Sequence, residues 1–140
     1  PRHLLGIGEP SDLFTGVENG ADTFDCVAPS REARTSAIYT KSGRVNLSNQ
    51  RFNSDFNPID INCACYTCQN YSAAYINHLF RAKEMVASTL ATIHNEFFIV
   101  KLVEDMRQGI ENGTYFEFKK DFLENYYQGK LPAQKIKRGI

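Results

Sequence analysis

Three thiols within six residues, Cys63-Ala64-Cys65-Tyr66-Thr67-Cys68, restrict this chain more than any other feature of its sequence. Thiolate sulfur is a soft ligand, and a tetrahedral Zn²⁺ needs one further donor to close a Cys₃His shell that leaves no position for water. A closed shell of that kind folds a chain and performs no chemistry. The 140 residues contain three histidines, His3, His78 and His94. His3 opens the first apolar run, far from the cysteines in sequence. If Ser72 to Phe97 forms roughly one helix, a rotation of about 100° per residue puts His94 in line with Ile76, inside the apolar stripe, and turns His78 nearly the opposite way. A histidine in a buried stripe needs a polar partner or a metal. Alone it reads as a hydrogen-bonded core residue; beside three cysteines short of one ligand it reads as the fourth donor. The tight spacing favours a shared metal over two disulfides, and a reducing cytoplasm is the expected compartment.

The length suits one domain, or part of one, with a real core. No apolar run is expected to reach the length of a membrane span, and the N-terminus shows no signal pattern and no starting Met, which suggests a piece of a longer protein. The net charge of zero hides a local asymmetry. Up to Asp25, Arg2 faces Glu9, Asp12, Glu18, Asp22 and Asp25; from Arg31 to Arg51, five basic residues face Glu32 alone. Lys130, Lys135, Lys137 and Arg138 form a second basic cluster. Such patches fit either a nucleic-acid footprint or a solvated hairpin and tail.

Along the chain, His3-Leu4-Leu5-Gly6-Ile7-Gly8 reads as a short buried strand. Glu9-Pro10-Ser11-Asp12 opens a helix whose face is Leu13, Phe14 and Val17 and which stops at Asn19-Gly20. Thr23-Phe24-Asp25-Cys26-Val27 is a second strand, so the pair should be a parallel βαβ unit belonging to a larger sheet. Ala37–Thr40 and Val45–Leu47 flank a hairpin turn at Gly43. A polar, irregular stretch from Asn49 to Asn62 leads to the cysteines. Helical spacing then runs to a C-cap at Asn112-Gly113, and Phe116, Phe118, Phe122, Leu123 and Tyr126 give one more helix.

Asp25 lies late in an apolar strand, where an unpaired charge is costly. It is either a carboxylate tied up by backbone N–H groups, Arg31 or Arg34, or a functional group at a strand's C-terminal end, where barrel enzymes place their chemistry. Cys26 points to the other face and reads as a buried apolar residue.

These stretches together resemble the C-terminal part of the tRNA-guanine transglycosylases, also called queuine tRNA-ribosyltransferases, of bacterial type. Leu5-Gly6-Ile7-Gly8 resembles the family's base-pocket strand end, and Asp22-Thr23-Phe24-Asp25-Cys26-Val27 its catalytic segment. Pro29-Ser30-Arg31 with Arg34 resembles its tRNA-contacting loop. Cys63, Cys65, Cys68 and His94 match its zinc ligands, and Tyr66–Ser72 and His78–Ala82 also look typical. Ser30 stands where threonine is common, and Glu32-Ala33 replaces a small pair between the arginines.

The resemblance implies an α/β fold: the last strand-helix-strand of a (β/α)₈ barrel with an inserted zinc-binding subdomain, hairpin plus helices, and C-terminal helices. Its segments would be 1–34 (barrel strands and catalytic loop), 35–97 (zinc subdomain) and 98–140 (helices and basic tail). It implies exchange of wobble-position guanine in tRNA anticodons for a 7-deazaguanine through a covalent Asp25–ribose intermediate. Leu5, Gly6 and Gly8 would border the base, Arg31 and Arg34 would hold the RNA, and one structural zinc would be bound. A homodimer is expected, with exposed aromatics near Tyr39, Tyr71 or Tyr126 available for it. The general base and most base-recognition groups would lie outside these 140 residues, so the chain alone is expected to be inactive. A non-catalytic, zinc-stapled tRNA-binding subunit is the alternative, and a zinc-dependent interaction domain the third reading.

Overall fold

The computed structural model describes residues 1–130. Of the C-terminal basic cluster, Lys135, Lys137 and Arg138 lie outside the described residues. Two compact units form: one from Pro1–Ala28, Lys41–Gly43 and the described residues from Lys101 on, the other from Pro29–Thr40 and Arg44–Val100. The first and last segments read from the sequence thus contribute to the same unit.

In the first unit, β1 (His3–Leu5) and β2 (Thr23–Asp25) pair in parallel, with His3 opposite Thr23, Leu4 opposite Phe24 and Leu5 opposite Asp25. Between them runs α1 (Pro10–Glu18), which has no side-chain cap but carries Pro at its start, where a missing N–H costs nothing. Such a short ladder needs a covered face. Leu4 and Phe24 turn inward against Gly16 of α1. On α1, the fully buried Phe14 packs on Tyr115, Phe118 and Phe122 of α6 (Tyr115–Tyr127), with ring centroids 6.0, 5.8 and 5.6 Å away. The Tyr115 hydroxyl donates to the Phe14 carbonyl at 3.2 Å.

The second unit holds the hairpin strands β3 (Ala37–Thr40) and, from Arg44 on, β4 (Gly43–Asn46). Ahead of them lies α2 (Ala28–Arg34), a helix in the segment the sequence presented as a loop. Three further helices follow: α3 (Tyr66–Asn70), α4 (Ala73–Arg81) and α5 (Met85–Asn112). The expected single helix from Ser72 to Phe97 is therefore two. Lys83 takes a left-handed φ of +59°, Glu84 N–H bonds the Leu79 carbonyl at 2.9 Å and Lys83 N–H bonds that of Phe80 at 3.1 Å. This Schellman stop normally carries Gly or Asn at its left-handed position; lysine gave no signal there. The core gathers Ala33, Ile38, Leu47, Ile76, Leu79, Ala87 and Leu90.

α5 supplies its residues up to Val100 to the second unit and the remainder to the first. By length and composition it is apolar enough to cross a membrane, which corrects the expectation that no run reaches that length. Its buried positions up to Val100, namely Ala87, Leu90, Ala91, His94 and Asn95, nevertheless follow the one-sided spacing of a core helix. Asn95 is fully buried and accepts from Tyr39 N–H at 3.0 Å while donating to the carbonyls of Pro29 and Ala37 at 3.1 and 2.9 Å. Tyr39 and Tyr126 are buried as well, so of the aromatics considered for a dimer surface only Tyr71 keeps accessible area. Replacing Asn95 by Ala should orphan one buried N–H and two carbonyls and cost about 3 kcal/mol; equilibrium unfolding in urea measures it.

Candidate metal centre and the exposed face of the parallel strands

The metal candidate is assembled by three local devices. The loop Cys63 to Cys65 ends where Cys65 caps α3, its Sγ accepting from Cys68 N–H at 3.3 Å. One helical turn brings Cys68 back beside it. The third device is α5, packed on α3 through the Thr67 hydroxyl, which donates to the Leu90 carbonyl at 2.6 Å. One turn further along α5, the fully buried His94 turns Nδ1 to Cys63, Cys65 and Cys68 Sγ at 3.7, 3.5 and 3.3 Å. Nε2 lies 2.7 Å from the Tyr39 carbonyl, which can only accept. The proton therefore sits on Nε2 in the neutral ring, leaving the Nδ1 lone pair for a cation.

All four ligand atoms lie within 4.8 Å of one another, so Cys63, Cys65, Cys68 and His94 could hold one metal ion. A tetrahedral ion at about 2.3 Å from sulfur and about 2.0 Å from nitrogen would set each S···N edge near 3.5 Å. The observed edges bracket that value. The electrostatics also call for a cation. A hydrogen bond from Cys68 draws the Cys65 thiol down to about 4, against burial, and His94 contributes to the same effect. Cys68 is pushed up by that hydrogen bond and by burial. Burial opposes a charge on His94, yet hydrogen bonds to Cys63, Cys65 and the Tyr39 carbonyl raise it to about 10. Without a metal, a proton on Nδ1 would supply the positive charge that the sulfurs attract. His78, exposed on α4, and Cys26 are not members of the cluster. His94 thus joins the cysteines through its phase within α5; Ile76, the reference for its expected direction, stands on a different helix.

The remaining predicted residues fall in two places. Arg31 and Arg34 are exposed in the last turn of α2, three residues apart and so on one face. Leu5, Gly6 and Asp25 meet at the C-terminal ends of β1 and β2. Gly6 takes φ +69°, which favours glycine, and its N–H bonds both the Asp25 carbonyl at 2.9 Å and carboxylate Oδ1 at 3.1 Å. The Asp25 side chain is 63 % exposed. At Gly8 a Cβ would come within 2.7 Å of Cys26 Sγ, so its absence lets the chain pass Cys26. Cys26 is half-buried, with Sγ accepting from Ala28 N–H at 3.2 Å. His3, which the sequence offered only as a distant metal-ligand candidate, has its ring nitrogen Nε2 3.6 Å from Asp25 Oδ2. Strand alternation combined with a parallel register would have placed it there.

A family model for queuine tRNA-ribosyltransferase matches residues 1–128. The chain belongs to that family. Among curated relatives bearing that name, one from Dehalococcoides mccartyi is 51% identical over 126 residues, 90% of this chain and 32% of the relative. Another, from Caldanaerobacter subterraneus, is 48% identical over 127 residues, 91% of this chain and 34% of its own length. A third, from Helicobacter pylori, is 45% identical over 126 residues, again 90% of this chain and 34% of the relative. The chain thus spans about a third of the length of the relatives it matches.

Metal retention should depend on all four donors. Cys65→Ser and His94→Ala are each expected to lower bound metal from one ion per chain to a small fraction, measured by elemental analysis after dialysis. Acidification should release the ion in the wild type, because protons compete for the same lone pairs.

Proposed function

We propose that this chain is the part of a tRNA-guanine transglycosylase that carries the nucleophile, Asp25, together with a structural zinc site and two RNA-contacting arginines. The observation that carries this reading is the Asp25 carboxylate, exposed at a strand's C-terminal end and held by the N–H of a left-handed Gly6, in a chain of the queuine tRNA-ribosyltransferase family. β1, α1 and β2 would be the closing strand-helix-strand of a (β/α)₈ barrel, whose active groups gather at that end.

The Asp25 carboxylate would attack the ribose anomeric carbon of the wobble guanosine. The bond from Asp25 oxygen to that carbon forms while the glycosidic bond breaks, its electron pair leaving with guanine. A deprotonated 7-deazaguanine then attacks the same carbon and frees the carboxylate. Two displacements retain configuration, as in retaining glycosidases, with oxocarbenium character at the sugar carbon. The base that deprotonates the incoming 7-deazaguanine would come from the rest of the full-length protein, so the 140 residues alone are not expected to exchange bases.

Arg31 and Arg34, exposed on one face of α2, would hold the splayed anticodon loop through phosphate and base-edge contacts. Zn²⁺ suits the Cys₃His donor set and would contribute folding energy without touching the reacting bond. Structural zinc sites supply about 10–16 kcal/mol in small peptides, comparable with the whole stability of a domain. Tyr71 and Tyr75, stacked at 5.5 Å on an accessible face, would support a homodimer, and four free cysteines suit a cytoplasmic protein.

The test is made on the full-length protein. Wild type incubated with guanine-bearing tRNA and a deazaguanine inhibitor should yield a covalent RNA adduct on a denaturing gel, and Asp25→Asn should yield none. Tight RNA binding without an adduct in either would replace the enzyme with a non-catalytic tRNA-binding subunit. Arg31→Ala and Arg34→Ala should each weaken tRNA binding and, where the contact is to phosphate, lower the salt-dependence slope by about 0.7–1; titrations at several salt concentrations measure both.

A further inference from the structure

The outward face of the two parallel strands carries more than the proposed nucleophile. Because side chains alternate along a strand, the paired positions His3–Thr23 and Leu5–Asp25 share one face, while Leu4 and Phe24 occupy the other, against α1. His3 Nδ1 lies 2.7 Å from the Thr23 hydroxyl, and His3 Nε2 lies 3.6 Å from Asp25 Oδ2. The other carboxylate oxygen, Oδ1, accepts from Gly6 N–H at 3.1 Å. The tautomer follows from the partners. A carboxylate only accepts, so Nε2 bears the proton facing Asp25; Nδ1 then has a free lone pair, which the Thr23 hydroxyl satisfies.

We propose that His3, held by Thr23, is a positioning residue for Asp25, presenting an N–H to Oδ2 while Gly6 N–H holds Oδ1. This rests on the reading of Asp25 as the nucleophile. An exposed aspartate rotates broadly about its last torsion, and attack on an anomeric carbon requires one oxygen lone pair to be aimed at it. Contacts at both oxygens fix the carboxylate plane and leave each oxygen a further lone pair. The separation of 3.6 Å exceeds a hydrogen bond. Rotation of either partly exposed side chain can close it, and catalytic hydrogen bonds commonly tighten only when substrate is present. In the second displacement the same two donors would stabilise the carboxylate as it leaves. His3 transfers no proton in either step.

The full-length protein with guanine-bearing tRNA tests this by two separate readouts: the single-turnover rate of covalent adduct formation, and tRNA affinity. His3→Ala should slow adduct formation by about tenfold or more while tRNA affinity stays within about twofold. His3→Gln, whose side-chain amide reaches a similar position with an N–H, should recover most of the rate. Thr23→Val, which keeps the strand-forming shape and removes the hydroxyl, should fall between. An unchanged rate in His3→Ala, an effect on affinity alone, or a His3→Gln variant as slow as His3→Ala would each overturn the proposal. Should His3→Ala melt far below wild type, Thr23→Val decides: an unchanged rate overturns it. Asp25→Asn run alongside separates the two levels. If it still forms adduct, the nucleophile reading fails and takes the proposal with it. If it forms none while His3→Ala reacts at the wild-type rate, only the role of His3 fails.

Discussion

The second unit depends on the two-sided use of one imidazole. His94 faces three sulfurs with one nitrogen and a backbone carbonyl of β3 with the other. A single buried side chain therefore ties the cysteine loop, the long helix and the hairpin together. Its neighbour Asn95 repeats the pattern with three hydrogen bonds to the backbone of the hairpin and of the helix before it. Polar groups this deep are tolerated only when every donor and acceptor has a partner. Two consecutive polar residues on an otherwise apolar helix face thus fix its rotation and register more tightly than its alanines and leucines could.

The cluster is also short of positive charge. Three thiols packed about one imidazole push each other's proton equilibria apart, down for Cys65 and up for Cys68. A cation resolves that conflict at a single point, and the S···N separations already match the edges of a tetrahedral shell. A tetrahedral ion held by these four donors would have no position left for substrate.

The first unit solves a different problem with less material. Two three-residue strands cannot stand alone, and the aromatic packing of Phe14 against α6 covers only their inner side through α1. The outer side is left to polar and reactive groups: His3, Thr23 and Asp25, with Leu5 between. Parallel register brings residues twenty positions apart in sequence into hydrogen-bond contact, as with His3 and Thr23. The left-handed Gly6 then turns the chain so that its N–H meets the carboxylate.

Much of this was legible in the sequence because its signals are local. The spacing of Cys63, Cys65 and Cys68 announces a metal loop, Pro10 and Asn19-Gly20 bracket α1, and the strand-helix-strand order gives a parallel pair. What stayed hidden depends on contacts between distant segments or on backbone states that residue type does not advertise. Lys83 adopts the left-handed stop that splits α4 from α5, although lysine has no special preference for it. The seven-residue α2 is too short and too charged to show a periodic face. The close approach of Gly8 to Cys26 has no signature in residue type. Sequence alone determined that three cysteines gather in one loop and where the acidic strand end lies, because both follow from residue type and spacing within a few turns. Only the tertiary structure decided that His94 is locked by the Tyr39 carbonyl and that His3 faces Asp25, because each relation requires two separated segments to be packed in one particular register.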